Sequence, residues 1–190
     1  AFPDETISAR ANFQKSFRKF KVRFGGNVSH SKSNSLISNR QTNVVSNRLT
    51  KTFSQSYTSR FSTNFKKAPN FDVGYNVSIN NSDIGGVENK FTTHSPYANL
   101  DILFLKEFIF TSKYTFNKVV NGGETIDEYG FLRADLTYQK KDSKWEYRLS
   151  ATNLLNSTGL NQNSNNDIYV SNTTYIIQPR IAMFTVKYNL

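Results

Sequence analysis

The stretch FDVGYNVSIN, which runs from Phe71 to Asn80, alternates strictly between apolar and polar side chains. Successive side chains of a β-strand point to opposite faces of a sheet, so a period of two predicts a strand with one apolar and one polar face. The apolar face of this strand would carry Phe71, Val73, Tyr75, Val77 and Ile79. Asp72, Gly74, Asn76, Ser78 and Asn80 would face the opposite way.

The same alternation recurs along the whole chain. In WEYRLSAT, from Trp145 to Thr152, every second residue is again apolar. No segment shows the 3.6-residue period of an amphipathic helix. We therefore predict an all-β antiparallel fold of about nine strands in a single domain covering residues 1–190. The predicted limits are 5–17, 20–33, 44–65, 70–82, 89–105, 107–119, 128–139, 144–155 and 175–190.

The composition supports strands with one wet and one apolar face. The chain has 190 residues, of which 14% are aromatic, although its mean hydropathy of −0.56 is polar. Disordered chains are poor in aromatic residues, so the composition disfavours disorder. No apolar run approaches the roughly 20 residues of a transmembrane helix, but the strands of a transmembrane barrel alternate and keep the average hydropathy low. The absence of cysteine excludes disulfides and thiol chemistry.

Short and long connections alternate between the predicted strands. The short ones are Arg18-Lys19, Lys66 to Asn70, the residues around Lys106, and Lys140 to Lys144. The long, polar ones span residues 32–43, 82–88, 120–127 and 156–174. Outer-membrane barrels have short periplasmic turns and long extracellular loops. The alternation therefore predicts a transmembrane antiparallel β-barrel whose periplasmic turns are basic.

Aromatic residues flank the short turns on the apolar face. Aromatic rings settle where lipid headgroups meet acyl chains, so we predict a periplasmic aromatic girdle at one height. Its members would be Phe17, Phe20, Phe65, Phe71, Phe104, Phe108, Tyr138, Trp145 and Tyr188. The alternative is that these aromatic residues close hairpins in a soluble sheet.

The polar face concentrates charge, and the net charge of the chain is +10. In a barrel this face lines the lumen, where we expect Arg10, Lys21, Arg23, Arg60, Asp72, Asp101, Lys113, Arg133, Asp135, Glu146, Arg148 and Lys187. A positive wall would raise the local concentration of anionic solutes or contact an acidic plug. The alternative is salt bridging between neighbouring strands, for example of Arg133 or Asp135 with Arg148 or Glu146.

Four stretches carry a resemblance to a known group of proteins. They are FKVRFGGNVSHSKS (20–33), FTTHSPYANLDILF (91–104), WEYRLSATNLLN (145–156) and YIIQPRIAMFTVKYNL (175–190). In this layout the chain resembles the C-terminal barrel portion of TonB-dependent-receptor-like outer-membrane β-barrel proteins of Bacteroidota. These barrels usually end on an aromatic residue, whereas this chain ends on Leu190.

The resemblance implies a bacterial outer-membrane location and a complete protein with a signal peptide, a plug domain and a barrel of about 22 strands. It implies as partners the outer-membrane lipid, the outer-membrane assembly machinery, the N-terminal half and plug of the same chain, and other outer-membrane or lipoprotein subunits. The last strand resembles the assembly signal of such barrels, carried here by Phe184, Val186, Tyr188 and Leu190. Single-chain bacterial barrels normally have an even number of strands, so an odd count of nine also predicts an incomplete barrel.

No catalytic motif, metal-ligand spacing or phosphate-binding loop is found, so we expect neither an enzyme nor a cofactor. His30 and His94 lie far apart without a carboxylate spaced to share a metal. The alternatives to a transport or receptor barrel are a complete small structural barrel and a soluble carbohydrate-binding β-sandwich. Nucleic-acid binding, which the charge alone would suggest, is disfavoured because the aromatic residues lie on the face opposite the basic ones.

Overall fold

The computed structural model describes residues 4–39, 44–66, 69–165 and 170–189. Every regular element in these ranges is a β-strand, which confirms the all-β prediction. The strands are β1 (Glu5–Phe17), β2 (Phe20–Asn39), β3 (Val44–Thr63), β4 (Asn70–Ile84), β5 (Val87–Phe104), β6 (Phe108–Asn121), β7 (Glu124–Gln139), β8 (Trp145–Thr152), β9 (Gly159–Asn165), β10 (Val170–Ile176) and β11 (Ile181–Tyr188). Within the described ranges there is no helix that could cross a membrane.

Nine strands form one antiparallel sheet in the order β1-β2-β3-β4-β5-β6-β7-β8-β11. Each strand from β1 to β8 pairs with the next along the chain, and β11 pairs with the remaining side of β8. The remaining two strands, β9 and β10, form a separate hairpin. The predicted nine strands are therefore confirmed for the main sheet. This sheet is open, because among the described residues β1 and β11 each pair with a single neighbour.

The connections at the two edges where the chain turns differ less in length than predicted. We call the lower edge the one where β1–β2, β3–β4, β5–β6 and β7–β8 are joined, and the upper edge the opposite one. The lower connections are short, as predicted. At the upper edge the loops predicted over 82–88 and 120–127 are wrong, because the strands continue to two-residue turns at Gly85-Gly86 and Gly122-Gly123.

These four glycines have positive φ angles of 62°, 90°, 58° and 97°. Hairpin turns with two left-handed residues match the twist of the flanking strands, and glycine adopts them without steric penalty. The Asn and Ser residues before the turns suggested loops, yet their backbones pair across the sheet. The predicted loop over 32–43 is also shorter, because β2 extends to Asn39 and β3 begins at Val44, while residues 40–43 lie outside the described ranges.

The longest predicted loop, over residues 156–174, is wrong in part, because β9 and most of β10 lie within it and form a hairpin. The predicted last strand over 175–190 is divided, because β10 ends at Ile176 and β11 begins at Ile181. The chain therefore leaves the main sheet after β8, makes a hairpin and returns to the sheet as β11.

The side chain of Asn153 binds the chain on both sides of the β9–β10 hairpin. Its side chain is 2% exposed, and its Nδ2 donates to the carbonyls of Ser157 and Gln178 at 2.8 Å each. Its Oδ1 accepts a hydrogen bond of 2.9 Å from the Ser157 N–H. Its φ is 52°, a left-handed conformation that Asn tolerates better than most residues. We call this arrangement the Asn153 clasp.

Gly74 allows a close side-chain approach in the middle of β4. The ring of Tyr97, opposite it in β5, lies over the glycine, and a Cβ built there would lie 2.5 Å from Tyr97 Cζ and Oη. Gly26 on β2 differs, since its built Cβ would lie 3.4 Å from the nearest atom of Tyr57. A β-carbon at 74 would therefore have to displace the Tyr97 ring, whereas position 26 has room for one.

The sheet has almost no interior. Ile84, which is 6% exposed, is the one buried hydrophobic residue of the described chain. The solvent-accessible surface is 13600 Å², whereas a globular monomer of this mass would expose about 9,200 Å². The apolar side chains counted in the sequence are thus not buried against another layer of the described protein.

We expect Asn153→Ala to loosen the β9–β10 hairpin. The substitution removes three hydrogen bonds, each of which contributes about 0.5–1.5 kcal/mol. Limited proteolysis of the purified protein should then cut between residues 159 and 176 at least about tenfold faster. Asn99→Ala, whose side chain makes no hydrogen bond among the described residues, is the control and should not change the cleavage rate. Equal rates for both variants would contradict the role of the clasp.

We expect Gly74→Ala to lower the free energy of unfolding by about 1–3 kcal/mol through overpacking against Tyr97. Gly26→Ala is the matched control and should change it by less than about 1 kcal/mol. Adding Tyr97→Ala to Gly74→Ala should recover part of the loss, because the clash is removed. Denaturant unfolding measures all three, and a Gly74→Ala variant as stable as Gly26→Ala would refute the packing.

Candidate functional site

The strand register places the apolar side chains of all nine strands on one face. Residues opposite one another in an antiparallel pair share a face of the sheet. One such row across six strands consists of Val22, Phe61, Val73, Ala98, Tyr114 and Leu132. The row of Leu136, Leu149 and Phe184 extends the same surface to β11. We call this surface the apolar face.

The apolar face forms a band of constant width. In five strands the apolar side of the sheet has no charged, histidine or asparagine side chain over nine residues, namely Phe20–Val28, Phe71–Ile79, Pro96–Phe104, Phe108–Phe116 and Gly130–Tyr138. Polar or charged residues follow above it at His30, Asn81, Lys118 and Glu128. Nine residues span about 26 Å along a strand. We call these segments, together with their neighbours in register, the apolar band.

Side chains of the band are exposed rather than packed under another layer. Phe24 is 53% exposed, Leu149 50% and Phe184 65%. Edge strands expose their side chains in any sheet, but Val73 and Tyr75 in the central strand β4 are also 39% and 40% exposed. Large apolar side chains thus lie exposed side by side on this face, and extended exposed apolar patches mark surfaces that contact protein or membrane.

Aromatic rings cluster along the lower end of the band. Phe104 stacks on Phe108 at 5.3 Å between ring centroids, and Phe108 lies 4.7 Å from Tyr138. Trp145 lies 4.8 Å from Tyr188 in the last strand. Further contacts join Phe20 to Phe65 at 5.5 Å and Phe61 to Phe71 at 5.8 Å. Most of the nine residues predicted as a girdle are thus brought into contact near one edge of the sheet.

Two details of the aromatic cluster differ from the prediction. Phe65 lies beyond the end of β3 at Thr63, so its ring reaches Phe20 from the turn. Tyr147 was not predicted as a member but contacts Tyr138 at 6.2 Å and Phe184 at 6.3 Å. Its parity matches that of Trp145, and this was the signal available in the sequence.

Lysines of the lower edge reach over the aromatic rings. Lys15 Nζ lies 5.0 Å from the centroid of Phe17, which shares the apolar face with it. Lys19 Nζ lies 5.6 Å from Phe65, and Lys144 Nζ lies 5.7 Å from Tyr188. Cation–π contact and a flexible stem let each ammonium remain in water while its methylenes cover apolar surface.

The opposite surface, which we call the polar face, carries all twelve charged residues predicted to share it. The register places them on this common face, as where Lys21 opposes Ser62 and Lys113 opposes Arg133. The twelve residues are Arg10, Lys21, Arg23, Arg60, Asp72, Asp101, Lys113, Arg133, Asp135, Glu146, Arg148 and Lys187.

Three ion pairs on the polar face use six of these charges. Arg60 binds Asp72 on the next strand through two hydrogen bonds of 2.7 and 2.6 Å. Arg133 binds Asp135, at 2.7 Å, within β7. Arg148 binds Glu146, at 3.2 Å, within β8.

The predicted bridges between β7 and β8 are therefore wrong. Residues two apart in a strand lie on one face, and Arg133 and Arg148 each reach an acidic residue in their own strand. Across to β8, Asp135 accepts a hydrogen bond of 2.7 Å from Ser150 Oγ.

The remaining charges leave the polar face positive. Five basic residues have no acidic partner within the described ranges, namely Arg10, Lys21, Arg23, Lys113 and Lys187. Asp101 is the single acidic residue of the twelve without an ion pair there. Arg23 is held by Gln14 Oε1 at 2.7 Å and faces Arg60 directly across β2 and β3. This face can attract anions.

The two histidines lie in strands near the upper end of the apolar face. His94 Nδ1 is 2.5 Å from Tyr75 Oη, and the His30 ring lies 6.5 Å from that of Phe53. The described residues contain no group of three side chains able to hold a metal ion. Of the four residues predicted as an assembly signal, Phe184, Val186 and Tyr188 lie in β11, on the apolar face, and Leu190 lies outside the described residues.

Comparison of this chain with protein-family models, with curated proteins and with solved structures found no match.

Proposed function

We propose that this chain forms part of the wall of a bacterial outer-membrane β-barrel, with the apolar face in lipid and the polar face toward an aqueous interior. The observation that carries the proposal is the apolar band. A transmembrane β-strand needs about 9–11 residues, and the band is nine residues wide in β2, β4, β5, β6 and β7. Exposing this apolar surface to water would be unfavourable. In a bilayer, acyl chains would contact it and that cost would not arise.

The aromatic and basic residues at the lower edge support the same orientation. Aromatic rings concentrate at the boundary between acyl chains and headgroups, and the lysines over Phe17, Phe65 and Tyr188 would reach lipid phosphates or water. A soluble β-sandwich would require a second sheet across the apolar face. The one other sheet of the described chain is the short hairpin of β9 and β10, which is too small to cover it.

The strands are inclined relative to the line of lower turns, as a barrel requires. A row of paired residues starts at Phe17 and Phe20 in the first turn, passes Phe71 and reaches Ala151. Ala151 lies six residues above Trp145, where β8 begins. The lower turns therefore descend by about 20 Å across the sheet. Inclined strands with such a stagger are what closure of a barrel demands.

The two edge strands support membership in a larger barrel. In lipid, an unpaired backbone group costs several kcal/mol, so β1 and β11 must both pair with further strands. We propose that the remaining strands belong to the same chain, in a TonB-dependent type of receptor or transporter, as the resemblance of the sequence implies. The outer-membrane assembly machinery would recognise β11, and the cations of the polar face would contact an acidic plug or anionic solutes.

We predict that Val77→Arg impairs membrane insertion, because Val77 lies on the apolar face in the band. An arginine facing lipid in the upper half of the band should lower the free energy of unfolding by about 1–3 kcal/mol. Ser78→Arg is the matched control, since Ser78 is its exposed neighbour on the polar face. Folding into vesicles, followed by urea titration, measures both variants.

Equal losses for Val77→Arg and Ser78→Arg would contradict the assignment of the two faces, and the membrane proposal with it. Ser150 is unsuitable as a second control, although it lies on the polar face. It is 5% exposed and donates to Asp135, so an arginine there would disrupt packing in any environment.

The absence of cysteine allows the orientation to be tested with single cysteine substitutions. We predict that Glu88→Cys, at the upper edge, reacts on intact cells with a maleimide that cannot cross the outer membrane. Lys141→Cys, in a lower turn, should react only after the outer membrane is permeabilised. The reverse pattern would invert the orientation, and equal labelling of both sites would argue against a spanning sheet.

A further inference from the structure

A hollow of about 450 Å³ opens on the polar face, over strands β1, β2 and β3. Its middle row consists of Asn12, Gly25 and Thr58, which lie opposite one another in register. Gly25 has no side chain and the two residues beside it have short ones, so the hollow is the space that this row leaves open. Arg10 lies two residues above the row and Arg23 two residues below it, and both line the hollow.

Both arginines are available to a ligand. Arg10 makes no ion pair or hydrogen bond with the described residues. Arg23 donates from Nε and Nη2 to Gln14 Oε1, at 3.1 and 2.7 Å. Because Gln14 is neutral, this contact orients the guanidinium without cancelling its charge, and other N–H groups of Arg23 remain for a ligand.

No acidic residue of the described chain lines the hollow. Within the described part of β1 to β3 and the residues next to these strands, the acidic residues are Asp4 and Glu5. Both lie at least five residues above Arg10, which is about 16 Å along the strand. On the neighbouring strand β4, Asp72 shares the polar face, but it binds Arg60 through two hydrogen bonds. The lining therefore carries the positive charges of its two arginines and no negative charge.

The other side chains of the lining are neutral and can both donate and accept hydrogen bonds. They are the amides of Asn12 and Asn27 and the hydroxyls of Ser56 and Thr58. Amides and hydroxyls of this kind bind ligand hydroxyl groups as donors or as acceptors. The volume of the hollow lies within the range of about 300–1,000 Å³ that is usual for small-molecule sites. The ligand should therefore have a hydroxylated part in addition to an anionic group.

We propose that this hollow binds a hydroxylated organic phosphate monoester, with Arg10 and Arg23 on the phosphate. Guanidinium groups bind phosphate oxygens in pairs. A phosphate monoester carries a charge of about −1.5 to −2 at pH 7, which matches two arginines, whereas a phosphodiester or a carboxylate carries a single charge. The inference rests on the proposed function, because the polar face must line an aqueous interior that the ligand can enter. It adds the chemical class of the solute and the site that binds it.

The test uses the full protein in phosphatidylcholine nanodiscs, which leave both ends of a barrel open to the solution. Isothermal titration calorimetry with glycerol 3-phosphate measures the dissociation constant. We expect Arg10→Ala and Arg23→Ala each to weaken binding about tenfold, as for the loss of a charge-assisted hydrogen bond. Lys113→Ala removes an unpaired cation from β6, four strands from β2, and should change the dissociation constant less than about twofold, because salt screens a charge at that distance. Arg10→Gln and Arg23→Gln replace any alanine variant that does not fold.

A further variant fills the hollow without removing charge. A Cβ built at Gly25 would lie 2.8 Å from Asn12 Oδ1, which is the end of a flexible side chain that can move aside. Gly25→Gln should therefore fold and lose the binding of glycerol 3-phosphate. Gly26→Ala is the control, since it adds a Cβ to the same strand on the opposite face and should leave the dissociation constant unchanged.

Other ligands test the chemical class. Dimethyl phosphate has a single negative charge and should bind about tenfold more weakly than glycerol 3-phosphate, because it leaves one arginine without a charged partner. Inorganic phosphate has the charge but no hydroxylated part, and it should also bind more weakly. Equal binding of dimethyl phosphate would overturn the assignment to a monoester, and equal binding of inorganic phosphate would overturn the role of the hydroxylated part.

The outcomes separate this inference from the membrane proposal. Flotation with phosphatidylcholine vesicles first shows whether the wild type inserts, and a wild type that does not insert overturns both. An inserted wild type that does not bind glycerol 3-phosphate overturns the site alone. Equal weakening by Arg10→Ala, Arg23→Ala and Lys113→Ala would also overturn the site, because it would show a general attraction of anions to the polar face.

Discussion

The antiparallel register is the interaction on which the rest of this structure depends. Because paired residues share a face, each hydrogen-bonded row sorts apolar side chains to one side and charged ones to the other. The row from Val22 to Leu132 shows this across six strands, and the charged residues from Arg10 to Lys187 show it on the opposite side. Because the described residues place no second layer over the apolar side, the same backbone bonds that build the sheet also create its apolar band.

Much of this arrangement could be predicted from the sequence because it depends on parity alone. A strand such as Phe71–Ile79 has one possible division of its side chains between two faces, whatever its neighbours are. Contacts between rings, such as that of Tyr147 with Tyr138, depend on which strands pair and by how much they are staggered. That information comes from the register, and parity does not contain it.

The turns and ion pairs were harder to predict for different physical reasons. Asn- and Ser-rich stretches favour loops by composition, but pairing of their backbones continues wherever a Gly-Gly turn such as Gly122-Gly123 allows the chain to reverse. Arginine side chains are long enough to reach carboxylates in their own strand or in the next one. The partner that an arginine binds depends on its rotamer and on competing groups nearby. Asp135, for example, accepts hydrogen bonds from both Arg133 and Ser150.

Alternation determines the face on which each side chain of a strand lies. It does not exclude a shift of the strand pairing by two residues, because such a shift returns every side chain to its original face. The close approach of Tyr97 to Gly74 supplies the missing information, since a two-residue slip would bring the ring over Asp72 or Asn76 instead. The contact of a glycine with an aromatic ring thus specifies the register between β4 and β5. Where all strands alternate in the same way, such contacts distinguish one register from the several that are equally compatible with the apolar pattern.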